Sequence, residues 1–454
     1  MNGLAWGHAS DDDARPTRCA VGFSNPRDVT FDRYVTVKSA DGGKVASPIL
    51  AVRSQSARSA KARQPSRHPI PPSLGGVPAG SGSKAGLTTV GDRATPTRSL
   101  SGTARGAPLP KHDPLRVGII GIDHRHIYGQ LAGMQSVGCT CAGWWTDGDP
   151  GAIGDGFRKR FPDIPWVSER ARLLEDDSIA LILIAAVPSE RARFAIEAMR
   201  HGKDVMLDKP GCTTLEQLAE IRRAAAETGR IWSVDFSERF EVEAVTKADA
   251  LVRAGAIGTV VQTVGLGPHR LNRATRAGWF FERQRYGGIL CDIASHQVDQ
   301  FLHFTGSTDA EIVASAVGNF ANPGDVGLED FGEILLRSPS GQGYIRVDWY
   351  TPDALPTWGD GRLTILGTEG YIELRKYVDV AGRPGINHLF LVNRDRCEHI
   401  DANGAGLPYF ASLAADIRDR TETAMPQAHA FKVTELALRA QAMARRLGHH
   451  AGGE

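Results

Sequence analysis

Cysteine is scarce, and its spacing excludes two whole classes of protein. Six cysteines in 454 residues, at 19, 139, 141, 212, 291 and 397, form no CxxC pair, so neither a Cys-based zinc module nor a disulfide scaffold is built from them. They suit a reducing cytoplasm. No apolar run approaches the roughly 18 residues that a membrane helix needs, and the start of the chain carries no basic segment followed by an apolar one. Glutamate is absent from residues 1–112, which hold sixteen Lys and Arg against seven Asp, a balance of +9, while the remainder is about −8. This first stretch also contains "SRHPIPPSLGGVPAGSGSKAG", whose Pro, Gly and Ser offer too little apolar surface to offset chain entropy. It reads as a disordered basic tail. No aromatic interleaving or groove-reading motif accompanies the charge, which argues against nucleic acid as a partner.

What is present begins at Leu115. Hydrophobic residues make up 41% and charged residues 23% of the chain, enough for two or three ordinary domains. Strand patterns near 115–121, 139–146, 179–186, 203–207 and 231–235 alternate with helical stretches. That alternation predicts a doubly wound parallel sheet with helices on both faces, and "LILIAAVP" reads as its buried central strand. Beyond residue 236 the strand-like stretches "TVVQTVGLG", "GYIRVDWY" and "LTILGTEGYIELR" cluster with few helices between them. They predict a second α/β domain, over 236–448, around an open and mostly antiparallel sheet. The boundaries expected are therefore 1–112 for the tail, 113–235 for a dinucleotide-binding half and 236–448 for a substrate and oligomerisation half. Its last helix, "FKVTELALRAQAMARRLG", is expected to end at Gly448 and could fold back onto the first half.

The first strand leads into "GIIGIDHRHIYG", residues 118–129. A dinucleotide loop carries glycines so that backbone can approach a pyrophosphate at a helix N-terminus. Only Gly121 stands in place here; Asp123 and His126 occupy the other two glycine positions. The second strand ends in Asp147, 26 residues after Gly121, near the spacing of a carboxylate that binds ribose hydroxyls and disfavours a 2′-phosphate. Asp147 equally suits a turn in "TDGDP". A metal reading of His124 and His126 requires convergence with a third ligand, and residues two apart on a starting helix do not share a face. No metal site is expected.

Two further motifs carry chemistry. "KDVMLDKPG" puts Asp208, Lys209 and Pro210 at the end of a strand in the parallel sheet, where such folds bind ligands. A lysine there could stabilise an alkoxide as hydride leaves; the bland alternative is a solvated lysine. In "YGGILCDIASHQVDQFLHFTG", residues 286–306, Asp292 and His296 lie four apart on a helical pattern. Imidazole and carboxylate on one face suit proton transfer, and equally suit a buried, satisfied pair. Asp299 reads as a structural partner.

Taken together, "RVGIIG" at 116–121, "AAVPSERARFAIEAMRHGKDVMLDKPGCTTLEQ" at 185–217, "GGILCDIASH" at 287–296 and "ILGTEGYIEL" at 365–374 resemble the Gfo/Idh/MocA family, over roughly residues 115–448. The resemblance implies an N-terminal Rossmann domain, a C-terminal α/β domain and a site between them. It implies Lys209, Asp292 and His296 as catalytic residues. It further implies Gly121 with Ile122, Asp147, Pro188, Asp208 and Lys209 as contacts of NAD, with NADP an alternative. Asp208 stands where the family usually has glutamate. The activity implied is hydride transfer between nicotinamide and a secondary alcohol or ketone of a sugar or cyclic polyol, by a homodimer or homotetramer. Arg270 in "GPHRLN", beside His269, and Trp279 are candidate substrate contacts, with loop packing the alternative. Two other functions remain open: transient oxidation on a retained cofactor that enables elimination or glycoside cleavage, and a cofactor-binding regulator without turnover.

Overall fold

The computed structural model describes residues 114–448; the basic tail expected over 1–112 lies outside the described residues. Five parallel strands form the first sheet: β1 (Arg116–Ile122), β2 (Thr140–Trp145), β3 (Ile179–Ala185), β4 (Asp204–Asp208) and β5 (Trp232–Asp235), in the order β2-β1-β3-β4-β5. Each boundary lies within about a residue of the sequence expectation, because β1 and β3 are unbroken apolar runs buried on both faces. An isolated parallel bridge between Trp144 and Trp166 adds a one-residue strand outside β2. Counting it, the order becomes the Rossmann 3-2-1-4-5-6, and the strand order reverses between β1 and β3, where such sheets open a crevice at their carboxyl ends.

The second sheet has nine strands: β6 (Val260–Pro268), β7 (Glu311–Gly318), β8 (Phe331–Ser338), β9 (Gly341–Asp348), β10 (Arg362–Gly367), β11 (Gly370–Arg375), β12 (His388–Asn393), β13 (Cys397–Asp401) and β14 (Arg445–Leu447). Their order is β13-β12-β11-β10-β6-β9-β8-β7-β14, antiparallel except for β6 with β9 and β14 with β7. Burial alternates along β8, β9, β10 and β11, as expected of a sheet with one covered and one open face. Helix Ala294–Thr305 covers the middle of the buried face, packing on β6 and β9.

The closing helix runs only Gln427–Met443, five residues short of the expected stop at Gly448. Ala444 is extended, and Arg445–Leu447 pair with β7 instead, so sheet pairing takes the backbone groups that a longer helix would have used. This helix packs on Leu215–Thr228 and β5 of the first half and on Ala294–Thr305 of the second. Phe431 stacks on Trp232 with centroids 4.7 Å apart, and Gln427 Oε1 accepts from the Trp232 N–H at 2.9 Å. One cluster of buried apolar residues thereby runs through both halves. Among the described residues, no helix is long and apolar enough to cross a membrane.

Candidate active site

Two backbone devices set the floor of the crevice. Gly121 has φ +79°, and a Cβ there would stand 2.4 Å from the Cβ of Ala186; only glycine lets the turn after β1 lie against the end of β3. The His124 N–H then donates to the Ala185 carbonyl at 3.0 Å, pinning the turn to β3. Ile122 donates its N–H to Thr146 Oγ1 at 3.5 Å. Pro188, buried, opens a short 3₁₀ turn after β3. Gln217, on helix Leu215–Thr228, donates to the Ser189 carbonyl at 2.9 Å and holds that turn.

Arg191 is the largest contributor that sequence reasoning missed. Its guanidinium is fully buried. It donates through Nε to the Ala186 carbonyl at 2.8 Å, through Nη1 to the carbonyls of Asp208, Lys209 and Pro210, and through Nη2 to Asp208 Oδ2 at 2.8 Å. One arginine thus ties the end of β3 to the turn after β4. A planar fork with five donors does this where lysine could not. The Lys209–Pro210 peptide in that turn is cis.

Lys209 leaves this turn and meets Asp292: Nζ donates to Oδ1 at 3.0 Å, with side chains 3% and 9% exposed. Burial acts to raise the Asp292 carboxyl, but the neighbouring ammonium of Lys209, together with His124 and Arg276, outweighs it and holds the group below its ordinary range. Asp292 closes the short helix Ile289–Asp292, and Ile293 separates that turn from Ala294–Thr305. The expected single helix is therefore broken between Asp292 and His296. Gly288, which opens the first of these helices, has φ +92°, and a Cβ there would collide with Gln441 Oε1 at 2.3 Å. That oxygen accepts the Leu290 N–H instead, and Glu329 accepts the N–H of Ile289 at 3.0 Å. The N-terminus beneath Asp292 is capped from two other elements.

His296 is 1% exposed, and its Nδ1 has no hydrogen-bond partner among the described residues. Burial pushes its pKa down to about 3, against the pull of Glu238, so the ring is neutral and keeps a lone pair. His269 behaves alike: burial takes it down to about 4, with Glu238, Lys209 and Asp292 all felt at the ring. Arg276, which lies over the rings of Phe280 and Trp349, also acts on Asp292; no motif marked it in the sequence.

Arg270 and Trp279, the candidate substrate contacts, occupy packing positions. Arg270 donates to the carbonyls of Pro352 and Leu355 at 2.7 and 2.6 Å and braces that loop. Trp279 is 8% exposed and lies against Phe280 in the core.

The start of the crevice holds the histidines. His124 Nδ1 stands 2.9 Å from Asp208 Oδ2, and His126 Nδ1 stands 2.7 Å from Oδ1. The expectation that these two rings cannot face one centre fails, because residues 123–126 form a turn and the helix begins only at Ile127. Burial works to raise Asp208, yet His126, Arg191 and His124 together hold it well below the carboxylate range. Asp123 goes the other way: burial raises it to about 6. Asp147, at the end of β2, is 72% exposed, with Arg193 Nη2 at 3.4 Å.

Residues 156–236 match the "Oxidoreductase family, NAD-binding Rossmann fold", and residues 245–373 the "GFO/IDH/MocA C-terminal domain". A crystal structure of a candidate oxidoreductase from Erwinia carotovora atroseptica is 43% identical, with a TM-score of 0.71, covering 74% of this chain and all of that one. Two Bacillus subtilis proteins, an NADP(+)-dependent and an NAD(+)-dependent scyllo-inositol 2-dehydrogenase, are each 27% identical, over 34% and 46% of this chain. Those matches cover 42% and 58% of their lengths, so the chain spans about half of each. Levoglucosan dehydrogenase, solved with NADH and levoglucosan, shares the fold at a TM-score of 0.57 and 20% identity over 73% of this chain and 96% of that one. With both halves matched in order and a solved relative covered end to end, the chain belongs to the GFO/IDH/MocA family.

Proposed function

We propose that this chain is an NAD(P)-dependent oxidoreductase that moves a hydride between nicotinamide and a secondary alcohol or ketone of a sugar or cyclic polyol. The observation that carries the reading is the buried Lys209–Asp292 pair at the carboxyl end of β4, beside a neutral histidine whose Nδ1 lacks a partner. A polar atom buried without a partner costs roughly 1–3 kcal/mol, which a substrate hydroxyl would recover.

The crevice suits a dinucleotide in three respects. Gly121 lets the turn lie flat against Ala186, as close approach to a pyrophosphate requires. Asp123, raised to about 6, takes up a proton far more readily than an ordinary aspartate, which eases its place beside a diphosphate. Asp147 stands exposed where ribose hydroxyls would reach it. Nicotinamide, when bound, accepts or returns the hydride at the substrate carbon. Gly121, Ile122, Pro188 and Asp208 would frame the cofactor, and Lys209 would touch both cofactor and substrate. In the oxidation direction His296 takes the hydroxyl proton on its free nitrogen, Lys209 stabilises the developing oxyanion, and Asp292 accepts from a neighbouring hydroxyl. NAD is the preferred cofactor, since the Asp147 carboxylate repels a 2′-phosphate.

Residues 113–235 would bind the nucleotide and 236–448 the substrate. The open face of the second sheet, with Val261, Leu366 and Tyr371 more than a third exposed, supports a homodimer or homotetramer. The free thiols of Cys139, Cys141, Cys212, Cys291 and Cys397 support a cytoplasmic setting. The test is NAD and NADP binding to metal-stripped protein, followed by nicotinamide absorbance across a panel of sugars and cyclic polyols. Binding with turnover of at least one polyol is expected; failure to bind either nucleotide would overturn the proposal.

A further inference from the structure

The turn after β1 puts an unusual donor set at the mouth of the crevice. His124, His126 and Asp208 each offer one ligand atom, and the three atoms lie within 4.8 Å of one another. The rings stand edge to face, centroids 4.3 Å apart and 85° between planes, so neither blocks the other's approach to the carboxylate. Side-chain exposure is 16% for His124, 31% for His126 and 1% for Asp208: the carboxylate is enclosed and the imidazoles reach solvent on one side. Three protein ligands with an open side is the arrangement of metal sites that also bind water or substrate.

Hydrogen bonding alone does not account for this set. His126 Nδ1 bonds Asp208 Oδ1 at 2.7 Å. His124 Nδ1, at 2.9 Å from Oδ2, pairs electrostatically with the carboxylate but falls outside hydrogen-bond geometry. Oδ2 already accepts from Arg191. The result is a buried imidazole nitrogen aimed at a carboxylate oxygen that another donor holds. Arg191 also fixes the carboxylate's orientation, as groups outside a metal's ligand shell commonly do.

We propose that His124, His126 and Asp208 bind a divalent transition-metal ion of the zinc class, through the two Nδ1 atoms and one carboxylate oxygen. Imidazole with carboxylate suits zinc and its neighbours over calcium or magnesium. Ligands about 2.0–2.1 Å from a tetrahedral ion stand roughly 3.4 Å apart, so the 2.7 and 2.9 Å contacts open by under an ångström on loading. The site lies beside the turn that carries Lys209, in the crevice assigned above to the dinucleotide, but the cation proposal does not depend on that assignment.

The experiment uses the full chain, expressed without an affinity tag and stripped with a chelator. Zinc is titrated against a chromophoric competitor, and cobalt(II) is added separately for its visible spectrum and for paramagnetically shifted histidine ring protons. One zinc per chain, a tetrahedral cobalt spectrum and shifted protons from two histidines are expected. The double variant His124→Ala with His126→Ala removes two of the three ligands and should lose stoichiometric zinc uptake, while its thermal midpoint stays near that of the parent. No stoichiometric uptake by the parent, or uptake unchanged in the double variant, would overturn the site. If the double variant fails to fold, the cobalt spectrum of the parent decides: octahedral absorption without shifted histidine protons overturns it. NAD affinity is measured in parallel on stripped and loaded protein. Zinc bound without NAD binding would sink the dehydrogenase reading alone, and the converse would sink the metal site alone.

Discussion

Asp292 and Asp299 lie seven residues apart and are both buried, yet their surroundings differ in kind. Asp299 is 0% exposed and saturated: Arg239 donates from Nε and Nη2 at 2.6 Å each, and His429 Nε2 stands 2.8 Å away. Asp292 has Lys209, with His296 following it and leaving Nδ1 without a partner. A buried charge whose valences are all met holds a fold together; one met only in part keeps capacity for something that arrives later. By that criterion the first aspartate of the pair is the one the proposed chemistry draws on, and the second serves the scaffold.

The sharpest break of this contrast comes from His296→Ala. Turnover should fall by roughly 10²–10⁴-fold, the range for loss of an acid/base group, while urea unfolding moves by less than about 2 kcal/mol, since lost packing is offset by removal of an unpaired polar atom. Equal losses of stability and turnover would place His296 in the scaffold. Asp299→Ala should do the reverse. It leaves the Arg239 guanidinium, 11% exposed, without its carboxylate, at a cost of about 3–5 kcal/mol in urea unfolding. Turnover per folded molecule should stay within a few fold of the parent, and a hundredfold loss there would dissolve the distinction.

Much of this was legible before any coordinates. The five parallel strands read correctly because β1 and β3 are apolar on both faces, and Lys209 and Asp292 were marked by motifs that survive in linear order. Two parts were not legible, for physical reasons. The convergence of His124 and His126 depends on where the helix starts, and a helix reading from residue 124 would have pointed the rings apart. Arg191 sits in "SERARF" with nothing to separate it from Arg193, two residues on, although one is fully buried and the other about half exposed. Burial of an arginine is decided by which carbonyls surround it, and those come from residues 186 and 208–210. The strand Arg445–Leu447 was hidden likewise: its partner, β7, lies more than a hundred residues upstream.

Acid should expose a third buried carboxylate. Glu238 and Lys376 form a fully buried pair at 2.6 Å, with Gln297 and Gln300 completing it. Burial raises the Glu238 carboxyl, but Lys376 and the nearby histidines bring it down to about 2, from 4.5. A depressed folded pKa contributes stability that is present above the unfolded value and is lost as pH falls through the folded one. The Glu238 contribution to urea midpoints should therefore hold steady above about pH 4.5 and be lost toward pH 2. It comes on top of a separate decline that starts near pH 6.5, where the rings of His124, His269 and His296 take up protons in the unfolded chain but stay neutral in the folded one. Glu238→Gln should reduce the slope below about pH 4.5; a slope unchanged there in the variant would assign the acid sensitivity to other groups.

The smallest effect expected is at the rim of the crevice, where Arg193 meets Asp147 at 3.4 Å with side chains 47% and 72% exposed. Screening leaves such a pair worth 0–1 kcal/mol, so Arg193→Ala should not change unfolding measurably. Its consequence is for nucleotide choice. In the proposed cofactor site Asp147 would repel a 2′-phosphate and Arg193 would attract one, so the pair would set the NAD to NADP ratio by opposition. Arg193→Ala should raise the preference for NAD by less than about tenfold and Asp147→Ala should lower it, both read from dissociation constants at low and high salt. The effect should shrink with salt, because both charges face solvent. A ratio indifferent to both substitutions would mean that the ribose lies away from β2, and would leave Asp147 as no more than the turn residue that "TDGDP" also allows.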